Sequence, residues 1–593
     1  MESRVHYDIL LKPNAHLFNV VCTINKPIEN QIVSFPRWLP GSYLIREFSK
    51  HVNYLKLDEN SDAVLKPIDN SSWEISNVGD SVIIHYEVYG FDPSVRGLYL
   101  DTRRGFINNS RLCLVANHLE NELHTLNIKL PEEINNWKVA TTLSQSNLEN
   151  HRAYAFKASS YLELIDHPIE LGEFKVKKFN VESTPHSIVI SGKYRGDDNK
   201  LKSDVEKICS AQMRLFKDDV PFNQYIFLLN LVGEGYGGLE HSHSCALQAK
   251  RECMPFLHSS EKSEDYISLL GLFSHEYFHA WNIKRIKPQC FVNYNLSQAT
   301  PTSLLWVFEG FTAYYDELML VRSGVITKEA YLKRLSQSIS RYTRTQGRYN
   351  QTLTDSSYYA WTKFYQPDEN SVNSSVSYYL KGSLVALCID SIIRESSNNK
   401  LSLDDMMRWM WKEKGVKGEG LCDHEIEAKL IELGGEKLAK WLNVMLYTTE
   451  DIPLEPSLSY LGLEINYSPS PEHHRLTADT ADKFFQSSLG VSLVYQYDRC
   501  YIQSVFNHSA AEKAGLCAKD ELVAIDSIQV KAKNYGKILS YLEPGEEVEI
   551  YVFRDQQLIV TKLRLDKIAF LTAQLAILNN KNSLNNLNKW LWK

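Results

Sequence analysis

The sequence lacks several features that mark whole classes of protein. Its ten cysteines are scattered, and no two of them form a Cys-x-x-Cys pair. In a chain of 593 residues this pattern predicts reduced, mostly buried thiols and argues against a disulfide framework. The sequence also has no internal repeat, and its low complexity is confined to a short stretch rich in asparagine and lysine near residues 579–588.

Excess positive charge and long apolar runs are missing as well. Lysine and arginine number 65 against 72 acidic residues, which gives a net charge of −7. Because no basic stripe is present to neutralise phosphates, we expect neither a nucleic-acid partner nor an anionic-membrane partner. No apolar run has the length of a membrane span, and the first residues show no secretory signal. We therefore expect a cytoplasmic protein.

What remains is the composition of an ordinary globular chain, with 44% hydrophobic and 23% charged residues. Its patterning predicts a multidomain α+β protein. Residues 1–170 contain short alternating runs separated by turn-forming residues, which is typical of an antiparallel β-sandwich. Residues 171–455 are mixed at first and then helical, and residues 456–566 are β-rich again. A helical tail, 567–593, is predicted to follow.

The most specific pattern is His275-Glu276-Tyr277-Phe278-His279. On a helix, His275 and His279 lie one turn apart on the same face and can hold one zinc ion. Glu276 then lies beside the metal, where it can take a proton from water. Apolar residues recur at helical spacing on both sides, so we predict helix over 264–272 and again over 280–286.

Two histidines leave a zinc ion one protein ligand short, and a carboxylate on a neighbouring helix can supply it. The segment 302–321 has a helical pattern and carries Glu309. We therefore predict that His275, His279 and Glu309 bind one zinc ion per chain. Asp316 lies seven residues later on the same helical face, where it either orients a ligand histidine or is an ordinary exposed acid.

Two other patterns are set aside. Residues 233–238 read Gly-x-Gly-x-x-Gly after a strand. No βαβ unit of the right length frames them, however, so we do not expect nucleotide binding. His241 and His243 could chelate a metal, but we expect them to line a cleft or to face solvent.

Three stretches carry a family resemblance that covers nearly the whole chain. They are residues 35–48, residues 275–282 with 309–312 downstream, and residues 510–526, which resemble the helix and turn of a PDZ domain. In these stretches the chain resembles the M61 glycyl aminopeptidase family. Members of that family join an N-terminal β-domain, a thermolysin-like zinc peptidase domain and a PDZ domain. The resemblance implies a zinc aminopeptidase that removes glycine or alanine from peptides with a free N-terminus.

The M61 family in turn resembles the M1 aminopeptidases, which implies four further site positions. Gly237, Gly238 and Glu240 resemble the M1 motif whose glutamate binds the substrate amine through a charge-assisted bond. The alternative is a glycine-rich turn with a solvated glutamate. Tyr379 resembles the M1 tyrosine whose hydroxyl stabilises an oxyanion, and the alternative is a tyrosine of the core beside Tyr378.

Two other functions stay open. An endopeptidase could use the same zinc residues without Glu240 as an amine anchor. A non-enzymatic scaffold acting through its β-domain and PDZ-like domain is less favoured. Such a protein could have lost a zinc ligand or the catalytic base, and here all of these residues are present. The PDZ-like region is expected to bind a peptide or protein C-terminus, with either Tyr460–Leu463 or Ser488–Val491 as its carboxylate loop.

Overall fold

In the computed structural model, the described residues are 3–592 without 133, 135, 147–152, 218, 470–486, 532 and 568–570. Contacts between residues divide the chain into two compact units. The first unit is Met1–Thr300 with Arg408–Leu421, and the second is Pro301–Met407 with Cys422–Lys593. The division falls inside the segment 171–455. The bounds of the four regions given above stay a prediction.

The first part of the first unit is almost entirely β-structure. Its elements are β1 Val5–Lys12, β2 Leu17–Asn25, β3 Gln31–Ser34, β4 Val52–Leu57, β5 Val64–Pro67, β6 Ser72–Ser76, β7 Ser81–Tyr89, β8 Leu98–Leu100, β9 Arg104–Ile107, β10 Val115–Ala116, β11 His124–Lys129, β12 Lys138–Ala140, β13 Ser144–Ser146, β14 Ala153–Ala158, α1 Tyr161–Ile165 and β15 Ile169–Gly172.

These strands form one seven-stranded sheet, β13-β14-β11-β1-β2-β7-β4, and two four-stranded sheets, β10-β3-β6-β5 and β12-β15-β9-β8. Alternate residues of β1, such as Val5, Tyr7 and Ile9, are buried in a common core, as the period of two requires. The predicted antiparallel arrangement is wrong for one pair. Strand β1 runs parallel to β11, because the chain passes through the two smaller sheets before it returns beside β1.

The second part of the first unit is the mixed region predicted from the sequence. Its elements are β16 Phe174–Val181, β17 Thr184–Ser191, α2 Asp198–Leu215, β18 Tyr225–Val232, β19 Gly237–Glu240, β20 Ser244–Lys250, α3 Glu264–Phe278, β21 Lys287–Pro288 and, paired with β21, β22 Gly420–Leu421. The sheet order is β16-β17-β18-β20-β19. Strand β19 is thus an edge strand, and α3 packs against β19 and β20.

Helix α3 begins where the sequence indicates. The side chain of Ser263 accepts a hydrogen bond from the Tyr266 backbone N–H, which is the usual role of serine before the first turn. Glu264 and Asp265 in that turn interact favourably with the positive end of the helix dipole.

The helix ends at Phe278, so the predicted helix over 280–286 is wrong. Ile283 has a φ of 97°, which no helical residue adopts. Arg285 stabilises the turn that replaces the helix. Its guanidinium donates to the carbonyl oxygen of Ala280 at 2.9 Å, which a continuing helix would bond, and to that of Pro221, in a distant segment, at 2.9 Å.

The segment after Thr300 is mainly helical. A π-helical turn, Trp306–Gly310, precedes the helices α4 Phe311–Arg322, α5 Lys328–Arg344, α6 Leu353–Tyr358, α7 Ser371–Ser374, α8 Tyr378–Ser396, α9 Leu403–Met410, α10 Asp423–Tyr447 and α11 Leu454–Tyr460. The stretch 302–321 is therefore helical as predicted, although its first turn is widened. Such π-turns occur frequently at functional sites.

Helix α8 is apolar enough to pass for a membrane span by composition. Together with α7 it covers Ser371–Ser396, which has the required length and a mean hydropathy of 1.4. However, 78% of its apolar window is buried inside the protein. Buried apolar helices of this kind are also found in the cores of globular domains.

The C-terminal part of the second unit is β-rich. It contains β23 Leu463–Pro469, β24 Ser487–Ser488, β25 Val491–Gln496, β26 Arg499–Val505, α12 Ala510–Lys513, β27 Glu521–Ile525, β28 Ile528–Gln529, α13 Tyr535–Leu539, β29 Glu547–Arg554, β30 Gln557–Arg564, β31 Asp566–Lys567, β32 Leu571–Ile577 and α14 Lys581–Leu591. Strand β32 pairs with β23, so the tail after residue 567 contains a strand as well as the predicted helix.

Strand β25 is the edge of the sheet β25-β26-β27-β29-β30. Ser488–Val491 leads directly into this edge strand, whereas Tyr460–Leu463 connects α11 to β23. Of the two candidate carboxylate loops, Ser488–Val491 is therefore the one that belongs to the sheet.

The π-turn and α8 approach each other closely within the second unit. A Cβ atom on Gly310 would lie 2.7 Å from Cα of Gly382, closer than packed atoms allow. The two glycines therefore let the backbones touch. This contact fixes the position of Glu309, the preceding residue, along α8.

We predict that Gly310→Ala destabilises the protein by about 1–3 kcal/mol, the usual cost of overpacking. The added methyl group must push the two backbones apart, because neither has a side chain that can move. Thermal and denaturant unfolding monitored by circular dichroism measure the change.

Gly271→Ala is the control, because a Cβ atom there meets nothing within 4 Å. In the middle of α3 it should be neutral or stabilising by up to about 1 kcal/mol, since alanine favours helix over glycine. Equal behaviour of the two variants would contradict the close approach of Gly310 and Gly382.

Candidate active site

Helix α3 presents two imidazole rings that converge on one point. The Nε2 atoms of His275 and His279 lie 3.1 Å apart, and the ring planes are inclined by 88°. Two nitrogen ligands of a tetrahedral zinc ion, with bonds of about 2.0–2.1 Å, would lie about 3.4 Å apart. The histidine pair therefore fits a zinc ion.

The backbone after α3 orients His279. Its Nδ1 atom lies 2.8 Å from the carbonyl oxygen of Asn282. A carbonyl only accepts, so Nδ1 carries the proton and the lone pair of Nε2 points towards His275. This is the arrangement in which metal-binding histidines are usually held. The turn that ends α3 early thus also sets the tautomer of His279.

Two buried carboxylates lie beside the histidines. Glu240, Glu276 and His279 each offer a polar atom within 4.8 Å of the others. Both acids are only 5% exposed. Within the described residues, no lysine, arginine or hydrogen-bond donor is paired with the Glu240 carboxylate. Burial of a carboxyl group without a hydrogen-bond or charge partner is costly, which marks Glu240 as a candidate binding group.

Glycine backbone makes room for each of these carboxylates. A Cβ atom on Gly238 would lie 2.0 Å from Oε1 of Glu276, and one on Gly41 would lie 2.5 Å from Oε1 of Glu240. Gly41 has a φ of 86°, in the left-handed region that favours glycine. Gly41 lies in the stretch 35–48, which was singled out only for its family resemblance; the Pro40-Gly41 pair is the signal in the sequence for this role.

The predicted glycine motif lies on the edge strand β19. Gly238 pairs with Leu247 and Glu240 with Cys245 of β20. The Gly238 carbonyl oxygen accepts a hydrogen bond of 3.2 Å from Arg96. The glycine run at 233–238 leads into this strand and not into a helix, unlike a dinucleotide-binding loop.

The remaining predicted residues belong to the second unit. Glu309 lies in the π-turn and is 2% exposed. The Tyr379 hydroxyl lies 3.3 Å from that of Tyr365. Tyr378 is the fully buried member of the tyrosine pair, and burial raises the pKa of its phenol. Tyr379 is only half-buried, so Tyr378 is the tyrosine that belongs to the core.

Tyr379 and Asp316 line one cavity of about 360 Å³ within the second unit. Asp316 is half-buried, so it is not an ordinary exposed acid. Leu335, Leu380 and Leu384 supply apolar walls of the same cavity. The phenol and the carboxylate thus share a space large enough for an amino-acid side chain.

Comparison with known families and structures gives a consistent result. The model of the M61 glycyl aminopeptidase family matches residues 268–385, that of the peptidase M61 N-terminal domain matches 6–173, and that of the PDZ domain matches 487–565. No curated protein sequence matches the chain.

Solved structures include similar chains. An aminopeptidase N family protein from Idiomarina loihiensis is 35% identical, with a TM-score of 0.95 over 99% of this chain and 100% of that chain. An M1 zinc metallopeptidase from Deinococcus radiodurans is 11% identical, with a TM-score of 0.48 over 76% of this chain and 95% of that chain.

We predict that Gly238→Ala lowers turnover of a peptide substrate at least about tenfold, because the methyl group displaces the Glu276 carboxylate from its place beside the histidines. Metal content should not change, since neither histidine is touched. Steady-state kinetics and metal analysis on the same preparation measure the two effects.

Gly79→Ala provides the control, because it carries the same substitution outside the glycine motif. A Cβ atom there meets nothing within 4 Å. This variant should keep near-normal turnover. If Gly238→Ala is equally active, the carboxylate of Glu276 does not act from the position described.

Proposed function

Because the chain belongs to the M61 glycyl aminopeptidase family, we propose that it is a zinc-dependent aminopeptidase that removes a small N-terminal residue, glycine or alanine, from peptides. The preference for glycine and alanine rests on the family. The observation that carries the exopeptidase assignment is Glu240, a buried carboxylate without a cationic partner, close to Glu276 and His279. The α-ammonium of a peptide is the cation that this carboxylate lacks.

We propose that His275, His279 and Glu309 hold one zinc ion. The convergence of the two Nε2 atoms at 3.1 Å and the hydrogen bond from His279 Nδ1–H to Asn282 support the histidine part of this ligand set. Bound zinc would polarise the scissile carbonyl and make a nearby water more acidic. We assign the third position to Glu309, a buried carboxylate in the π-turn, as the resemblance to the family implies.

In the proposed reaction, Glu240 binds the α-ammonium and so places the first peptide bond beside Glu276. Glu276 removes a proton from the attacking water and then delivers it to the leaving amine. The glycine backbone at Gly238 lets the substrate approach without a clash. The hydroxyl of Tyr379 donates a hydrogen bond to the oxyanion that forms at the substrate carbonyl.

The PDZ domain is proposed to bind an extended peptide or protein C-terminus along β25. Support comes from the position of β25 at the edge of its sheet, since edge strands can accept a further strand. Ser488–Val491, immediately before β25, is then the loop that receives the terminal carboxylate.

Glu309→Ala is predicted to weaken zinc retention strongly, because two histidines alone make an incomplete site. The measurement is zinc content after dialysis against a mild chelator. Glu329→Ala is the control, since Glu329 lies at the start of α5 with a largely exposed side chain. If Glu309→Ala retains zinc as tightly as the parent protein, another group is the third ligand.

Glu240→Ala is predicted to lower kcat/KM for a peptide with a free N-terminus by roughly ten- to a hundredfold, the equivalent of a charge-assisted hydrogen bond of about 1.5–3 kcal/mol. The weaker hydrolysis of an N-acetylated peptide should hardly change. Both substrates are assayed with chelator and after zinc is restored.

Glu276→Gln gives the contrasting result in the same assay, because the loss of the base should abolish hydrolysis of both substrates. Equal losses on both substrates for Glu240→Ala would favour an endopeptidase in which Glu240 has a structural role. Activity that survives complete zinc removal would contradict the proposed function as a whole.

A further inference from the structure

A second cavity, of about 280 Å³, lies in the first unit next to the proposed amine site. Pro40 lines it, and the next residue, Gly41, faces the Glu240 carboxylate. Tyr294 also lines it; burial raises the pKa of its phenol, and the nearby charges of Asp166 and Glu240 raise it further. The cavity therefore begins beside the amine anchor.

The walls of this cavity include several polar side chains. They carry an amide, three imidazoles and two ammonium groups, from Asn108, His167, His241, His243, Lys284 and Lys287. None of the metal-binding clusters found among the described residues lies here. The histidines thus do not form a second metal site.

The acids of the cavity already have partners. Asp166 accepts a hydrogen bond from Lys284 Nζ at 2.5 Å and another from the Ser242 backbone N–H at 3.0 Å. Glu163 accepts from the Ser159 backbone N–H at 2.6 Å. Neither carboxylate therefore serves as the acceptor for the remaining cationic and donor groups of the cavity, which are called unmatched below.

Lys287 is the first unmatched group. Within the described residues its ammonium has no carboxylate at salt-bridge distance and lies 5.6 Å from the centre of the Tyr294 ring. Burial lowers the pKa of Lys287 to about 8. Arg285, close by, donates to the backbone carbonyls of Ser242, Ala280 and Pro221 and adds a further positive charge.

Asn108 is the second unmatched group. It is 1% exposed, and its Oδ1 atom accepts a hydrogen bond of 2.7 Å from Ser110. This bond fixes the orientation of the amide. The Nδ2 donor then has no acceptor in the part of the chain that the structure describes. A buried donor of this kind is normally bonded.

His241 points to the same conclusion. It is 3% exposed. Its Nδ1 faces the Asp166 carboxylate at 3.4 Å, whereas Nε2 has no hydrogen bond to any described residue. An acceptor inside the cavity would serve this ring together with Asn108 and Lys287. The missing partner of all three groups is thus an acceptor that carries negative charge.

We propose that this cavity binds a compact oxyanion, held by the Lys287 ammonium and the Asn108 Nδ2 donor. A carboxylate has this chemistry, whether it is the side chain of an acidic residue at the start of a bound peptide or part of a free anion. Sulfate has it as well. The peptide source rests on the proposed aminopeptidase function, whereas the free source does not.

The binding test is thermal unfolding of the full-length protein at constant ionic strength, with chloride replaced stepwise by sulfate or by glutarate. The expected result is a saturable rise in Tm of about 2–4 °C. The rise should be the same for zinc-loaded and zinc-free protein, which separates this cavity from the metal site.

Two variants test the named groups. Lys287→Gln removes the charge, and Asn108→Asp keeps the acceptor for Ser110 but replaces the free donor with a carboxylate. Each substitution should abolish the saturable rise in Tm. Asn108→Asp keeps the test possible if Lys287→Gln does not fold. Lys66→Gln, at an exposed lysine of β5, should keep it. If neither anion gives a saturable rise that these two variants remove, the proposal is overturned.

A kinetic measurement identifies the source of the anion. If it is a substrate side chain, Lys287→Gln should lower the ratio of kcat/KM for peptides that begin with glutamate to that for peptides that begin with alanine by at least tenfold. If it is a free anion, Lys287→Gln should leave this ratio unchanged while the effect on Tm is lost. Failure to cleave any peptide would refute the proposed function and leave the unfolding test of the cavity intact.

Discussion

The carboxylates of Glu240 and Glu276 have room only because the backbone facing each of them carries no side chain. Gly41 gives this room to Glu240, and Gly238 gives it to Glu276. Both acids are buried beside His279, so any larger residue at either glycine would displace the carboxylate that it faces. The geometry of the site therefore depends on two absent methyl groups as much as on the carboxylates themselves.

The packing of the first unit holds these glycines in place. A small apolar cluster, which includes Leu39, Phe106, Leu228 and Leu239, joins the N-terminal β-structure to the five-stranded sheet. Leu39 is two residues before Gly41, and Leu239 lies between Gly238 and Glu240. Burial of these leucines thus sets the distance between the loop that carries Gly41 and the edge strand that carries Glu240.

The sequence predicted the features that depend on local pattern. The helical spacing placed His275 and His279 on one face, and strand β18 has the bounds expected from its apolar run.

The sequence did not predict the features that depend on distant partners. The end of α3 at Phe278 depends on Arg285 and on carbonyl groups from residues 221, 242 and 280. Likewise, alternation identified β1 as a strand, but it carries no information on its parallel pairing with β11. The cavity beside Glu240 was missed because its donors, Asn108, His241 and Lys287 among them, are far apart in the sequence, and only His241 and His243 stood out there.

The widened turn at Trp306–Gly310 has a consequence for how this segment can evolve. A π-turn contains one residue more than an α-helical turn, and each helical residue rotates its side chain by about 100° around the axis. Loss of a single residue ahead of Glu309 would restore a regular helix but swing that carboxylate to another face, while the contact of Gly310 with Gly382 would be lost. Changes of length are therefore far less tolerable here than in the surface loops, and homologous chains should align through this turn without gaps even where their sequences have diverged.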